Sequence, residues 1–489
     1  MHPLTLLLSL IVICLSWIHA GTRSEYLGMI PWLALLVLVT TLIRPQRKRD
    51  EPVRDARARV ARSLFRDPVF YAFGVLLSLL WVQNLNSPRD TLPIVRGRAI
   101  QFASPPWGTE WPWSIDSFFS LEVLLWFIAI FAIVIGIRHG LLKASRRNLF
   151  MFCCWNGAAL AAFGVVQYAW MLKVPEIEKT MYGITPVFAH NFATFGYQNH
   201  AGQYFLFLFI LSLALLFHRI EAEEEPAWVT WSLLVPIALN FTGALLAISR
   251  ASIILAVASL ALFVPYGFIR LWPMISVGTR VKTLVLAAVA IATAIAWYVQ
   301  SPQNIFESEM SGTDYDNIYG RFFENYQVPT AYRMWAAQPA FGVGGWSYRY
   351  LVSQYLPMED WKLATGTGQA NVHNDFVQFL AEYGVVGAGA MLFIMLALLF
   401  ACTKPLVQYQ VPEYHHSVFF FRLPFVSLLT LAAALFMVLD SVVDIPFRSP
   451  ACMAVFCVGL LCASSFTPAS WRRASSSKTP NKGNASDEP

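Results

Sequence analysis

The chain has 489 residues, of which 57% are hydrophobic and only 13% charged, with a mean hydropathy of +0.52. Soluble domains carry about 25% charged residues, so this balance excludes a water-soluble globular protein and points to a polytopic membrane protein. The net charge of +6 does not mark a nucleic-acid binder, because the basic residues are sorted by loop along the chain.

A membrane span needs roughly 20 apolar residues, or about 17 when it is short. Twelve runs qualify, near 4–20, 28–43, 69–85, 118–137, 149–170, 201–217, 228–247, 252–269, 283–299, 376–400, 424–443 and 450–467. The first has the length of a signal-peptide core, but no Lys or Arg precedes it and no A-x-A pattern follows, so it reads as a retained span. Segment 44–66 holds nine basic residues, loop 138–148 adds Arg138, Lys143, Arg146 and Arg147, and the tail adds Arg472, Arg473, Lys478 and Lys482. Placing these inside makes both termini cytoplasmic and puts 23 of the 35 Lys and Arg on that side. Loop 218–227 runs against the pattern with Glu221, Glu223, Glu224 and Glu225, but acidic residues weigh little in this rule. The seven cysteines, Cys14, Cys153, Cys154, Cys402, Cys452, Cys457 and Cys462, fall in apolar runs or inner loops, so no disulfide is expected. None pairs with histidine at zinc spacing, so no metal site is expected. There is no internal repeat.

Three sizeable loops face outward, about 86–117, 171–199 and 300–373. Trp107, Trp111 and Trp113 in the first either anchor at lipid headgroups or stack on sugar faces. The second ends in the polar and aromatic run Phe188–His200, which includes Asn199 and reads as a ligand-lined vestibule or an interfacial cap. The third is too long for a plain connection and should hold its own helices. The spacing from Arg321 to Gln338 predicts helical turns interrupted at Pro329, followed by a tight turn at Pro339–Gly345. The end of the chain, 468–489, reads as a disordered cytoplasmic tail.

Charged residues are scarce inside the spans, which argues against an ion-coupled transporter. Those near the outer face carry the chemistry. Arg250, in Ile248-Ser249-Arg250-Ala251-Ser252, sits in the short turn between the seventh and eighth spans, placed to bind a phosphate or to snorkel to headgroups. Arg321 and Arg333 lie in the long loop, and Arg349 after its turn reads as a solvated residue. His373, in Asn371-Val372-His373-Asn374-Asp375, stands where the longest polar segment meets the tenth span, either as a proton acceptor open to solvent or as filler at a helix start. Asp375, Gln378 and Glu382 share one face of that span as a structural hydrogen-bond network. Asp440 and Asp444 at the outer end of the eleventh span orient a histidine or arginine, or cap a turn. Two fixed cations suit a diphosphate, and a histidine near neutrality suits removal of a proton from a hydroxyl. The chemistry that fits is transfer of a group from a lipid diphosphate to an alcohol.

These residues carry a resemblance. Phe195–Gln203, Ser249-Arg250-Ala251, Pro339-Ala340-Phe341-Gly342-Val343-Gly344, His373-Asn374-Asp375-Phe376-Val377-Gln378 with Glu382 and Gly384, and Asp444-Ile445-Pro446-Phe447 resemble, in order and placement, the O-antigen ligase and polymerase superfamily. The resemblance covers the chain from roughly residue 185 onward. It implies an all-α polytopic helical bundle of about 12 transmembrane helices with a partly helical extracytoplasmic loop, similar to C-type glycosyltransferases. Its organisation would be N-terminal helices over 1–180, a ligase-like domain over 181–467 including loop 300–373, and the tail. It implies a metal-independent enzyme without cofactors in a bacterial cytoplasmic membrane. The donor would be an undecaprenyl-diphosphate-linked glycan and the acceptor a glycan, lipid or protein hydroxyl. The family's functional residues carry onto His373 and Arg250, with Arg321 as the loop arginine and Arg333 as its substitute. Arg321 lies eighteen residues before Pro339 and Arg333 six, and neither matches the family's spacing. Asn199, Arg333 and Asp444 are the expected substrate-binding residues. A lipid-linked glycan flippase without catalysis is the rival reading, and it predicts ionisable residues along a pathway and repeat symmetry.

Overall fold

The computed structural model describes residues 2–18, 28–89, 104–171, 192–222, 226–272, 326–356, 371–408 and 423–466. They form α1 (Pro3–Trp17), α2 (Ile30–Ile43), α3 (Val53–Leu64), α4 (Pro68–Leu85) and α5 (Ser117–Ile135), which runs into a π-helical turn at Gly136–Gly140. There follow α6 (Lys143–Met171), α7 (Gln198–Ala222), α8 (Ala227–Trp231), α9 (Leu234–Leu246) and α10 (Arg250–Leu271). The second half holds α11 (Gln327–Ala337), α12 (Tyr348–Tyr355), α13 (Asp375–Gln408), α14 (Phe425–Asp440), a 3-10 turn (Pro446–Arg448) and α15 (Pro450–Ala463). Among the described residues there is no strand, only an isolated bridge between Phe192 and Phe195.

Among the described residues, seven helices are long and apolar enough to cross a membrane, and α1, α2, α14 and α15 are shorter apolar helices. Eleven of the twelve expected spans fall on these helices. The ninth, 283–299, the tail and Arg321 lie outside the described residues. All seven cysteines are free thiols.

The helix starts follow local chemistry. Asp67 caps α4 through the Val69 amide at 3.1 Å, with Pro68 in the first helical position, where its missing N–H costs nothing. Asp116 caps α5 through the amides of Phe118 and Phe119 at 2.8 and 3.0 Å. On α7 every residue from His200 to His218 is buried, the mark of a helix that is apolar all round and central. Helix α15 is buried along its whole length as well. On α13, by contrast, Leu392, Leu396 and Phe400 recur every four residues and stay exposed, a stripe suited to lipid. Glycine lets α10 approach α7 closely: a Cβ on Gly202 would sit 2.8 Å from the Ser249 Cβ and 2.7 Å from the Ser252 Cβ.

A smaller core of Ile115, Ala331, Met334, Tyr348 and Val372 caps one end of the bundle and holds α11 and α12 against α13. Trp113 packs on this core, whereas Trp107 and Trp111 are exposed. Pro329 does not interrupt the helix expected around it. It sits in the first turn of α11, where the amides have no intrahelical partner to lose.

Helix α13 is broken at Gly384, whose φ of 60° and ψ of −170° are open only to glycine. The turn Pro339–Gly345 fills the break with backbone. Val343 and Gly344 donate to the carbonyls of Ala381 and Glu382 at 3.0 and 2.8 Å, and Val385 and Val386 donate to Pro339 and Ala340 at 2.9 and 3.1 Å. The fit is close enough that a Cβ on Gly384 would collide with the Ala340 carbonyl. Gln83 of α4 completes the joint, donating to the Phe341 carbonyl at 2.9 Å.

Candidate active site at the capped end of the bundle

The start of α13 is sewn to the turn that follows α14. Asn374 Oδ1 accepts from the Val377 amide at 3.0 Å as a helix cap, while its Nδ2 donates to the Val442 carbonyl at 2.9 Å. The Asp375 amide donates to Ser441 O at 2.9 Å, and its Oδ2 accepts from the Phe447 amide at 2.8 Å. His373 precedes this joint with a left-handed φ of 56°, a conformation that costs a non-glycine residue about 1–2 kcal/mol. Strain of this kind is held by its surroundings, and here the stitched turns on both sides supply them.

That backbone aims the His373 ring at Asp444. Nδ1 lies 3.5 Å from Asp444 Oδ1, within ion-pair range and long for a hydrogen bond. The His373 side chain is 41% exposed and that of Asp444 only 7%, so the ring stands between solvent and a buried carboxylate. Asp444 cannot swing to meet it. Its Oδ1 already accepts from the Tyr197 hydroxyl at 3.0 Å and the Ile445 amide at 2.9 Å. Tyr197 in turn accepts from Asn199 Nδ2 at 2.8 Å. Burial, and then the neighbouring Asp444 charge, push the Tyr197 hydroxyl well above its ordinary pKa, so it stays a donor. His200 anchors the same turn from below, with Nε2 at 2.9 Å from the Ile445 carbonyl.

Arg250 opens α10 after Ile248, another non-glycine residue with a left-handed φ, of 55°. Its neighbours Ser249 and Ser252 abut Gly202, one turn into α7 from Asn199, so Arg250 stands at the same end of the bundle. Asp440 is buried there too, with Oδ2 lacking a hydrogen-bond partner among the described residues. Arg333 takes a different course: it is exposed on α11, and its Nη1 donates to the Tyr355 carbonyl at 3.2 Å. Of the expected vestibule run Phe188–His200, residues 188–191 lie outside the described residues. Among the rest, Phe192 and Phe195 are core residues, Thr194 donates to the Ser16 carbonyl at 2.6 Å, and Tyr197, Asn199 and His200 reach the site.

Below His373 the polar stripe of α13 is sealed. Asp375, Gln378 and Glu382 are at most 1% exposed. Gln378 accepts from the Val372 amide at 2.9 Å and donates to Glu382 at 3.2 Å. Glu382 pairs with Arg448, a residue that the sequence reading passed over. Burial works to lower the Arg448 pKa, but Glu382, helped by Tyr383 and Asp375, outweighs it and the net shift is upward. The guanidinium lies between the rings of Trp346 and Phe379, 5.2 and 5.3 Å from their centroids. The lone arginine of the stretch 424–467, whose other charged residues are Asp440 and Asp444, was the available signal. Arg349 is not the solvated residue expected: it stacks 4.1 Å over Trp346, and burial pushes its guanidinium pKa down.

An apolar cleft between α4, α5, α13 and α15 runs up to this end, with Asp375 and Phe447 at its head and Phe73, Phe127, Met391 and Phe456 along it. Among the described residues no three His, Cys, Asp or Glu side chains gather as metal ligands do.

The helices and the site define a polytopic helical membrane protein with a basic and acidic polar site at one end of its bundle. Residues 233–392 match the family described as O-antigen ligase, a stretch that includes Arg250, the Pro339–Gly345 turn, His373 and Glu382. The match supports membership of the O-antigen ligase superfamily and a glycan-transfer role of the ligase or polymerase kind. No curated protein matches the chain.

Proposed function

We propose that the chain is a membrane glycosyltransferase that moves an oligo- or polysaccharide from undecaprenyl diphosphate to an acceptor hydroxyl at the outer face of a bacterial cytoplasmic membrane. The observation that carries this reading is the half-exposed His373 ring turned toward a buried, doubly hydrogen-bonded Asp444. A base oriented by a fixed carboxylate is the arrangement that activates a hydroxyl. In this reaction His373 takes the acceptor proton, and the acceptor oxygen bonds to the anomeric carbon of the glycan. The bond from that carbon to the diphosphate breaks, and polyprenyl diphosphate leaves with the electron pair. Asp444 steadies the imidazolium formed. Arg250, with Arg321 or Arg333 from the outer loop, neutralises charge gathering on the leaving group without a metal. The apolar cleft that ends at Asp375 and Phe447 suits the prenyl chain of such a donor.

In this reading the bundle has twelve spans with both termini inside, and residues 181–467 form the catalytic domain. The full chain reconstituted in vesicles with a purified lipid-diphosphate glycan and an acceptor tests it. Free polyprenyl diphosphate should appear together with extended acceptor. Movement of intact donor across the bilayer with no release is the flippase result and would sink the proposal.

A further inference from the structure

The opposite end of the bundle carries a second polar constellation that the transfer reaction does not use. The length of α4, 18 residues or about 27 Å, separates its Asp67 end from its Gln83 end at the Gly384 joint. At the Asp67 end the π-helical turn places two consecutive residues on one carboxylate. Arg138 grips Asp67 with two bonds, at 2.5 and 2.9 Å, and His139 Nε2 lies 2.9 Å from Oδ2. His139 Nδ1 is 2.8 Å from the Ser63 hydroxyl, so both ring nitrogens are engaged. Burial works against the Asp67 charge, but the bonds from His139 and Arg138 outweigh it and hold its pKa below the carboxylate range.

This cluster forms one wall of a cavity of about 360 Å³, and two more guanidinium groups, Arg66 and Arg146, line it. Arg146 donates to the Arg138 carbonyl at 2.9 Å, while its Nε is buried with no hydrogen-bond partner among the described residues. Three arginines against one aspartate leave a formal charge of +2 with His139 neutral. A charge excess gathered around one cavity, with a buried donor left over, calls for an anion. Planar guanidinium forks match phosphate oxygens in particular. The cavity also meets the membrane: Ala401 of α13 and Leu461 of α15 line its other side, and exposed Phe400 and Leu396 lead away from it along α13.

We infer that this cavity is a phosphate-binding site, filled by the headgroup phosphate of an anionic phospholipid or by free phosphate, with Arg66 and Arg146 as its ligands. Basic pockets between helix ends at a membrane face take lipid headgroups in this way. The site is independent of the transfer chemistry at the other end.

The test measures thermal unfolding of the full chain in detergent with added phosphatidylglycerol, phosphatidylcholine or inorganic phosphate. Stabilisation by phosphatidylglycerol alone assigns the site to a lipid headgroup, and stabilisation by inorganic phosphate assigns it to the free ion. Arg66→Gln and Arg146→Gln should each weaken the binding by about tenfold, the loss of one charge-assisted pair. Arg66 is exposed, so its variant folds even if that of Arg146 does not. Arg54→Gln with Arg62→Gln, on the exposed face of α3, should leave the affinity unchanged. Equal stabilisation by both lipids with no effect of phosphate, or equal weakening by the α3 pair, would overturn the inference.

Discussion

Two parts of the polar face at the head of α13 have opposite designs. At the top, His373 is half open to solvent, strained at its backbone and held to its carboxylate partner by a long 3.5 Å contact. Two turns further down, Glu382 and Arg448 are sealed and paired, with the Arg448 guanidinium against the rings of Trp346 and Phe379. In the proposed transfer the first takes up the proton of a substrate hydroxyl, whereas the second keeps its partner. A helix can therefore carry ionisable groups at neighbouring levels for unrelated reasons, and burial tells them apart where residue type does not.

Removing the lower pair's cation should have the largest effect. Arg448→Ala leaves the Glu382 carboxylate buried without its cation, a loss of about 3–5 kcal/mol that should show as a collapse of the melting temperature in detergent. His373→Ala should do the reverse. Transfer activity should fall by about 10²–10⁴-fold, the usual worth of a general base, while the melting temperature holds. If His373→Ala unfolds the protein and Arg448→Ala does not, the contrast between the two levels is wrong. Gly384→Ala tests the joint between them. A side chain in this glycine-only conformation, colliding with the Ala340 carbonyl, should cost about 1–3 kcal/mol and lower stability and activity together. The smallest change is Tyr197→Phe. It removes one donor to Asp444, a bond worth about 1 kcal/mol, and should lower the transfer rate several-fold with only a small fall in melting temperature.

Much of this was legible before the structure, for a physical reason. A span announces itself by unbroken apolar length, so the apolar helices among the described residues, such as Ser117–Ile135 and Pro450–Ala463, follow from hydropathy. Ser249-Arg250 and His373 stand out because charge and imidazole are rare beside apolar runs. What could not be read is pairing across long stretches of chain. Nothing near Asp444 announces Tyr197, which lies 247 residues away in sequence, and nothing near Glu382 announces Arg448. The break at Gly384 hides in an apolar run where glycine is tolerated within a regular helix. Pro329 misled for a similar reason, because whether a proline ends a helix or begins one depends on its place in the first turn.

The four backbone bonds between α13 and the Pro339–Gly345 turn also set an order of assembly. A helix interrupted at Gly384 presents bare amides and carbonyls that a bilayer cannot satisfy, each costing several kcal/mol. The turn that covers them precedes α13 in the chain and is synthesised first. It is therefore expected to wait at the membrane surface as a template on which the following span completes itself. On this view the Gly384→Ala defect reaches back into biogenesis as well: less α13 should reach a protease-protected position in the membrane.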